Sequence, residues 1–312
     1  MMRRFVLFLL ASFTFLAGHS QQNKKERPAS AWKSGGQLSV MAGQAGMRNW
    51  APTGSEKFAL TASAALSLWA NKKWGSNTWE NNLDLSYGLI RTHEKGTRKM
   101  DDKFDFFSKY GYGLTGITSV GAVVSLRTQL TNGYDERESP RKRVSGFFAP
   151  AYLNFSPGIQ MQTRNRAFSF HFGPAIRWII ITNSPYSLVY QGGIKPDGSQ
   201  ERTLANLYRV SPGKQVRVEA GPYLTAQFKA EIVKNVMWKT RVELNSDLRR
   251  KEPLKIDVYW TNTFAMTVNK WLKVNYNFDL YQDEDVKMFG PGGNGSRTQM
   301  KSMLGVGLGF IF

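Results

Sequence analysis

Residues 304–312 alternate between large apolar side chains and, mostly, glycine, and this pattern constrains the fold more than any other feature of the sequence. The apolar side chains take every second position: Leu304, Val306, Leu308, Phe310 and Phe312. Such alternation predicts a β-strand whose two faces meet different surroundings. The same period recurs upstream and predicts twelve strands, near residues 37–44, 60–68, 83–89, 104–114, 120–130, 147–160, 168–180, 216–228, 238–245, 256–266, 272–280 and 304–312.

The connections between these strands alternate in length. Every second connection is short, near residues 71–77, 115–118, 163–166, 234–235 and 269–270. The others are long or strongly polar, near residues 45–56, 91–102, 133–145, 182–214, 246–254 and 283–298. This asymmetry and the even strand number predict an all-β fold. It is a single antiparallel transmembrane β-barrel of about 12 strands, with short periplasmic turns and long extracellular loops. A soluble β-sandwich or lipocalin-like barrel shares the alternation, but charges in mid-strand on so many faces would crowd a soluble core.

The N-terminal segment has the pattern of an export signal. Arg3 and Arg4 precede an apolar run over residues 5–16, and small residues follow it up to Ser20. The run is shorter than the about 20 residues that a membrane-spanning helix needs. We therefore expect a cleaved signal peptide at 1–20, a basic periplasmic tail at 21–34, and a barrel at 35–312 in the cell outer membrane. The terminal Phe312 resembles the signal recognised by the outer-membrane assembly machinery.

Composition restricts the chemistry. The chain has no cysteine and three histidines, and His19 falls within the expected signal peptide. Thiol nucleophiles, disulfides and cysteine-zinc sites are thereby excluded. His171 lies in mid-strand and His93 in a polar loop, and no G-x-S-x-G or H-E-x-x-H motif has a suitable context. We expect no enzymatic activity, no catalytic residue, no cofactor and no metal site, since the acidic clusters at 283–285 and 101–102 offer too few spaced ligands for calcium.

The basic residues responsible for the net charge of +19 are expected in two parts of the protein. Basic extracellular loops and periplasmic segments carry the excess. The loops either contact outer-membrane lipid and the phosphates of lipopolysaccharide or form a solvated surface. Nucleic acid is excluded as a partner because the basic residues are scattered and the chain is exported.

The predicted inward face carries almost balanced charge. Its cations are Lys109, Arg127, Arg177, Arg217, Lys239, Arg241 and Lys273, and its anions are Asp84, Asp105, Glu219, Glu243, Asp257 and Asp279. Balance predicts a network of paired charges in a narrow lumen, whereas an open anion-selective pore would show an excess of one sign. One lumen wall gathers polar residues that predict either a structural ion-pair cluster or a binding site for a small polar solute: Asn82, Asp84, Asp105, Lys109, Arg127 and Gln129.

Several strings resemble a known family. They include Trp79 to Gly88, Lys109-Tyr110-Gly111-Tyr112, Arg127-Thr128-Gln129 and Asn132-Gly133-Tyr134. In this order they are similar to the domain-of-unknown-function 3078 family of Bacteroidota-type outer-membrane barrels, most strongly over 79–155. The resemblance implies the barrel fold and no assigned activity, and it supplies no functional residues. The role of the 182–214 loop is not predicted.

These observations lead to one expected function and two alternatives. The first is a structural or binding barrel with a charge-paired polar lumen and no enzymatic activity. The first alternative is a narrow channel for small polar or anionic solutes. The second is an outer-membrane hydrolase, which the small number of histidines disfavours.

Overall fold

The computed structural model describes residues 32–48, 59–92, 96–135, 142–182, 207–211, 214–250, 255–283, 286 and 296–312. The expected signal peptide, most of the periplasmic tail, His93, Glu284, Asp285 and most of the 182–214 loop lie outside these residues. Within them, no helix is long and apolar enough to cross a membrane.

The described residues form fourteen strands. Their bounds are β1 Lys33–Arg48, β2 Ala59–Trp74, β3 Asn77–Thr92, β4 Gly96–Gly113, β5 Thr118–Thr128, β6 Gly133–Asp135, β7 Lys142–Ser145, β8 Ala151–Gln162, β9 Phe168–Ile180, β10 Val216–Val233, β11 Val236–Ser246, β12 Ile256–Thr267, β13 Leu272–Gln282 and β14 Gln299–Ile311. Twelve of these strands close into one barrel, in the order β1-β14-β13-β12-β11-β10-β9-β8-β5-β4-β3-β2, and β6 and β7 pair separately. The predicted all-β, twelve-stranded antiparallel barrel is confirmed.

Closure joins the two ends of the chain. β14 pairs with β1 over twelve positions, from Gln37 with Ile311 to Arg48 with Met300. The backbone of Phe312 also exchanges two hydrogen bonds with Gly36, of 2.8 and 3.0 Å. Every strand of a closed barrel pairs with a neighbour on both sides, so the described barrel sheet has no free edge.

The outward face of the barrel is apolar and exposed. Val40 and Leu308 are paired across β1 and β14 and are 55% and 45% exposed. Other outward apolar side chains on β8, β9 and β14 are similarly exposed: Phe155, Ile159, Phe172, Ile176, Leu304, Val306 and Phe310. A soluble protein does not present so continuous an apolar surface to water. The barrel is therefore of the transmembrane kind, with its polar residues inside.

Glycines allow the two backbones of the closing seam to approach closely. A Cβ on Gly307 would lie 2.0 Å from the carbonyl oxygen of Val40, and one on Gly43 would lie 2.0 Å from that of Leu304. No side chain fits there, because the two backbones approach too closely. Glycines at such positions let a closed barrel bend.

The short connections lie where the sequence predicts them, but one predicted long loop is wrong. Two-residue turns join β2 to β3 and β10 to β11, and Gly75 and Asn235 in them have positive φ values of 52° and 66°. However, β3 ends at Thr92 and β4 begins at Gly96, so the connection predicted at 91–102 is mostly strand. Its residues are charged because these long strands extend beyond the apolar band, where strands need no apolar face.

Candidate functional site in the barrel lumen

The lumen is crossed by a cluster of four charged side chains, here called the lumen clamp: Asp105, Arg127, Arg241 and Glu243. Asp105 and Arg127 are direct partners on β4 and β5. Arg241 and Glu243 occupy successive inward positions on β11. In the barrel order β11-β10-β9-β8-β5-β4, the two pairs stand on facing walls.

The clamp joins these walls by direct contacts. The Nη2 group of Arg241 donates to Asp105, and that of Arg127 donates to Glu243. Arg241 Nε also lies 3.0 Å from Glu243 Oε1, and Arg127 Nε lies 3.7 Å from Asp105 Oδ2. Asp105 and Glu243 are only 2% and 1% exposed. Each buried carboxylate thus contacts both guanidinium groups, which offsets the cost of removing the four charges from water.

Aromatic rings enclose the clamp. The Cζ atom of Arg127 lies 3.8 Å from the ring centroid of Tyr259, and that of Arg241 lies 5.3 Å from the ring centroid of Phe107. The hydroxyl of Tyr223 donates to Glu243 Oε2 at 3.0 Å. Tyr223 and Phe107 also pack with Val123 and Ala175 in a buried cluster inside the barrel. The centre of the lumen is therefore filled by side chains around the clamp.

A second charged group, the mouth cluster, consists of Arg177, Arg217, Glu219, Arg250 and Asp257. Arg177 donates to both Glu219 and Asp257, and Arg217 donates to Glu219. Arg250 comes from the connection after β11, and its Nη2 lies 3.3 Å from Glu219 and 3.4 Å from Asp257. An extracellular connection thus inserts a cation into the barrel mouth.

Between the clamp and the mouth cluster lies a small cleft of about 20 Å³. Its lining includes Arg127, Arg177, Asn154 and Tyr281. Neither amide atom of Asn154 has a hydrogen-bond partner among the described residues. A space of this size holds about one water molecule.

An apolar cap covers the extracellular side of the lumen. Its buried members are Val144, Ala149, Ile179, Ile181, Leu207, Tyr208, Val210 and Val286. Tyr152 and Tyr281, from inward positions on β8 and β13, pack against them. The hydroxyl of Tyr208 donates to the carbonyl oxygen of Val144 at 3.1 Å. Segments of three connections, β5–β8, β9–β10 and β13–β14, therefore meet over the mouth.

A third contact across the lumen was not predicted from the sequence. Lys301 on β14 lies 2.8 Å from Asp101 on β4 and 3.0 Å from the predicted lumen residue Asp279. Asp101 follows the same inward alternation as Asp105 and Lys103, and the β4 bulge opposite Gly88 and Leu89 lies just beyond it, between Asp101 and Lys99. The connection predicted at 91–102 includes Asp101, so its inward position was missed. Glu80 and Lys103 also belong to the inward face, and regular alternation along β3 and β4 could have identified both.

The structure divides the six residues of the predicted binding cluster into separate contacts. Asp105 and Arg127 join the clamp, while Asp84 accepts a hydrogen bond of 2.5 Å from Ser67 and Lys109 lies 2.9 Å from Glu80. Asn82 lies on the same inward face. Gln129 lies beyond the end of β5, where its side chain accepts from Lys99 and Ser145 at 2.9 and 2.6 Å.

Two other predicted lumen cations lie toward the periplasmic end. Lys239 is exposed and stands directly opposite Lys229 on β10. Lys273 is buried and donates to Thr267 Oγ1 at 3.0 Å.

His171 has a serine neighbour inside the barrel. Its Nε2 lies 2.9 Å from Ser156 Oγ, and both side chains are buried. Ser156 Oγ also lies 2.8 Å from the carbonyl oxygen of Pro174, which can only accept. The single hydroxyl proton therefore goes to Pro174, and Nε2 must donate to Ser156. A serine nucleophile needs the opposite arrangement, with the imidazole accepting the hydroxyl proton.

The two carboxylates of the acidic pair at 101–102 have separate partners. Asp101 turns inward, whereas Asp102 accepts from the backbone nitrogens of Leu130 and Thr131 at 2.7 and 2.8 Å. In the portion of the chain that is described, no group of three acidic or histidine side chains could hold a metal ion.

Sequence comparison confirms the family resemblance. Residues 42–134, from β1 to β6, match the family described as "Protein of unknown function (DUF3078)". No curated protein matches the chain.

The chain matches solved structures of low sequence identity. The NanC porin is 9% identical, with a TM-score of 0.38, and 86% of this chain and 98% of that chain are covered. The translocator domain of the autotransporter NalP from Neisseria meningitidis is 7% identical, with a TM-score of 0.39 and coverage of 100% and 96%. An outer membrane channel from Pseudomonas putida F1 is 9% identical, with a TM-score of 0.41 and coverage of 93% and 100%. Scores this low support no inference about function.

Proposed function

We propose that this chain, which matches the DUF3078 family over residues 42–134, is an outer-membrane β-barrel that acts as a structural or binding protein with a closed lumen and no enzymatic activity. Its exposed apolar outer face and its barrel of twelve described strands support the membrane location. In this proposal, residues 1–20 are the export signal, and 21–34 are a periplasmic tail. The strand ending at Phe312 engages the assembly machinery, and the outer loops contact lipopolysaccharide.

The closed lumen rests chiefly on the contact between Arg241 and Asp105. These side chains stand on facing walls and meet directly, so a solute would have to break the clamp to pass. The mouth cluster and the apolar cap add two further layers on the extracellular side. Charges buried in contact with one another favour the closed arrangement, because separating them leaves each without a partner.

A narrow channel for small polar or anionic solutes is the second candidate. The cleft lined by Arg127 and Arg177 favours it, since a small displacement of the clamp would join this cleft to the polar residues below. A hydrolase is the weakest candidate, because Ser156 and His171 are buried and their hydrogen bonds run in the wrong direction for catalysis.

Conductance across a planar bilayer separates the first two candidates. We expect the refolded full chain to conduct no ions, and the double variant Arg127→Ala with Arg241→Ala to give discrete current steps. Lys239→Ala is the matched control, since it removes an inward charge from the same strand as Arg241 without touching the clamp. Steady conductance by the unmodified protein would reject the closed barrel and favour the channel.

A further inference from the structure

The outer surface of β2, β3 and β4 carries an aromatic and basic group at its periplasmic end, here called the rim site: Trp32, Lys72, Trp74, Trp79 and Tyr110. The strand register places Lys72, Trp79 and Tyr110 side by side on three neighbouring strands. All three point outward, since their neighbours Glu80 and Lys109 point into the lumen. Trp79 and Tyr110 come from the strings that resemble the family, and the closed lumen gives them no role.

Lys72 is held among the rings of this site. Its Nζ lies 5.4 Å from the ring centroid of Trp74 and 5.8 Å from that of Trp32. The centroids of Trp32 and Trp79 are 5.4 Å apart, and those of Trp74 and Tyr110 are 6.3 Å apart. No carboxylate in the described part of the chain forms an ion pair with Lys72. The aromatic faces attract the ammonium group but leave its positive charge uncompensated.

Polar groups beside the rings place the site at the depth of lipid headgroups. Trp79 Nε1 donates to Ser108 Oγ at 2.9 Å, and Ser108 Oγ donates to Asn81 Oδ1 at 2.8 Å. Asn81 Nδ2 in turn donates to the carbonyl oxygen of Ala70 at 3.1 Å. Tryptophan and tyrosine side chains whose polar groups form hydrogen bonds are typical of the membrane interface. Polar side chains such as Ser108 and Asn81 are unfavourable in the hydrocarbon region.

The periplasmic turns around the site, and the strand ends next to them, are basic. Residues 71–78, 113–118, 163–167, 234–235 and 268–271 contain no acidic residue, and their cations are Lys72, Lys73, Arg164, Arg166, Lys234 and Lys270. A surface of this kind attracts anionic lipids. The geometry points to the rim site as a binding site for an anionic phospholipid of the periplasmic leaflet. Lys72 contacts its phosphate, and Trp32, Trp74 and Trp79 pack against its glycerol and upper acyl carbons.

This inference rests on the proposed membrane location, and native mass spectrometry tests it. The full chain is refolded and equilibrated with equal amounts of phosphatidylglycerol and phosphatidylcholine. We expect it to retain about five times as much phosphatidylglycerol as phosphatidylcholine. Lys72→Gln should lose this preference, and Lys72→Arg should keep it. Lys73→Gln is the matched control: it removes the same charge at the adjacent position of β2, but alternation places Lys73 on the opposite face.

The outcomes separate failure of this inference from failure of the proposed function. Heat-modifiable migration and membrane insertion are checked for each variant. If the unmodified chain does not insert into bilayers, the proposed location fails and this site fails with it. If the chain inserts but shows no lipid preference, or if Lys73→Gln lowers the preference as much as Lys72→Gln, only the rim site is overturned. Loss confined to Lys72→Gln supports it.

Discussion

Arg241 on β11 reaches across the barrel and donates a hydrogen bond to Asp105 on β4. Five steps round the sheet separate these strands in the order β11-β10-β9-β8-β5-β4. The contact therefore ties two facing walls together, while ordinary backbone pairing joins only neighbours. Phe107 lies against the guanidinium group of Arg241, and the Tyr223 hydroxyl donates to the neighbouring Glu243.

Removing one charge from the clamp should weaken the whole barrel. Glu243→Gln leaves Arg127 and Arg241 to share Asp105, and we expect a loss of about 3–5 kcal/mol in the free energy of unfolding. Urea unfolding in detergent micelles, followed by tryptophan fluorescence, measures it. Glu231→Gln at the exposed periplasmic end of β10 should change the value by less than about 0.5 kcal/mol. Equal midpoints for both variants would show that the clamp is hydrated.

A methyl group at the closing seam should not be tolerated. Gly307→Ala places a Cβ 2.0 Å from the carbonyl oxygen of Val40, so β1 and β14 must move apart. We expect a cost of about 1–3 kcal/mol and a smaller heat-resistant fraction on electrophoresis. Gly116→Ala is the control, because no atom lies within 4 Å of its added Cβ. A normal folded fraction for Gly307→Ala would show that the backbones of β1 and β14 lie far enough apart to accept a methyl group.

The extracellular cap should resist ionisation of its tyrosine. Burial, and secondarily the nearby Asp283 carboxylate, raises the pKa of Tyr208 above its usual range. In the unfolded chain this phenol ionises near about pH 10, so the stability that its protonated form contributes is complete below that pH and declines above it. The difference in tyrosinate absorbance between the unmodified protein and Tyr208→Phe measures the shift. A titration at the ordinary pKa would show that the cap is open to water.

Ser156 should serve packing and not hydrolysis. Because the Ser156 hydroxyl donates to the carbonyl oxygen of Pro174, Ser156→Ala should lower the free energy of unfolding by about 1 kcal/mol. The variant and the unmodified protein should show the same background rate of ester hydrolysis. A chromogenic ester and a phospholipid, each assayed with the refolded protein, provide the readout. A hydrolysis rate that disappears in Ser156→Ala while folding persists would contradict the proposed absence of enzymatic activity.

Much of the fold could be predicted because its determinants are local. Alternation along a strand depends on neighbouring residues, so β9 at Phe168–Ile180 agrees with the predicted 168–180. The same local rule identified the inward positions of Arg127, Arg241 and Glu243. It missed Asp101 because the predicted strand begins only at residue 104, whereas β4 begins at Gly96 and Asp101 keeps the alternation of Asp105. The bulge lies beyond Asp101 and changes the facing only of the residues before it in the chain.

Contacts across the lumen could not be predicted, since they depend on the geometry of the whole barrel and not on the sequence of any one strand. Which inward side chain meets which other depends on strand number, tilt and stagger around the closed ring. Alternation alone makes Asp84 and Arg127 equivalent members of one wall, yet Asp84 bonds to Ser67 and Arg127 to Glu243. Likewise, Arg250 lies in a polar connection and nothing in its neighbourhood indicates that it enters the mouth.

The clamp also acts as a check on assembly. Asp105 and Arg127 lie within the family-matched part of the chain, whereas Arg241 and Glu243 lie more than a hundred positions later and outside it. A sheet closed with another stagger or another number of strands would bring Asp105 opposite a different side chain. The buried carboxylate and guanidinium would then each lack a partner, at a cost of several kcal/mol. Ionic matching across the interior thereby favours one circumference over its neighbours, much as a single buried polar pair fixes the register of a coiled coil.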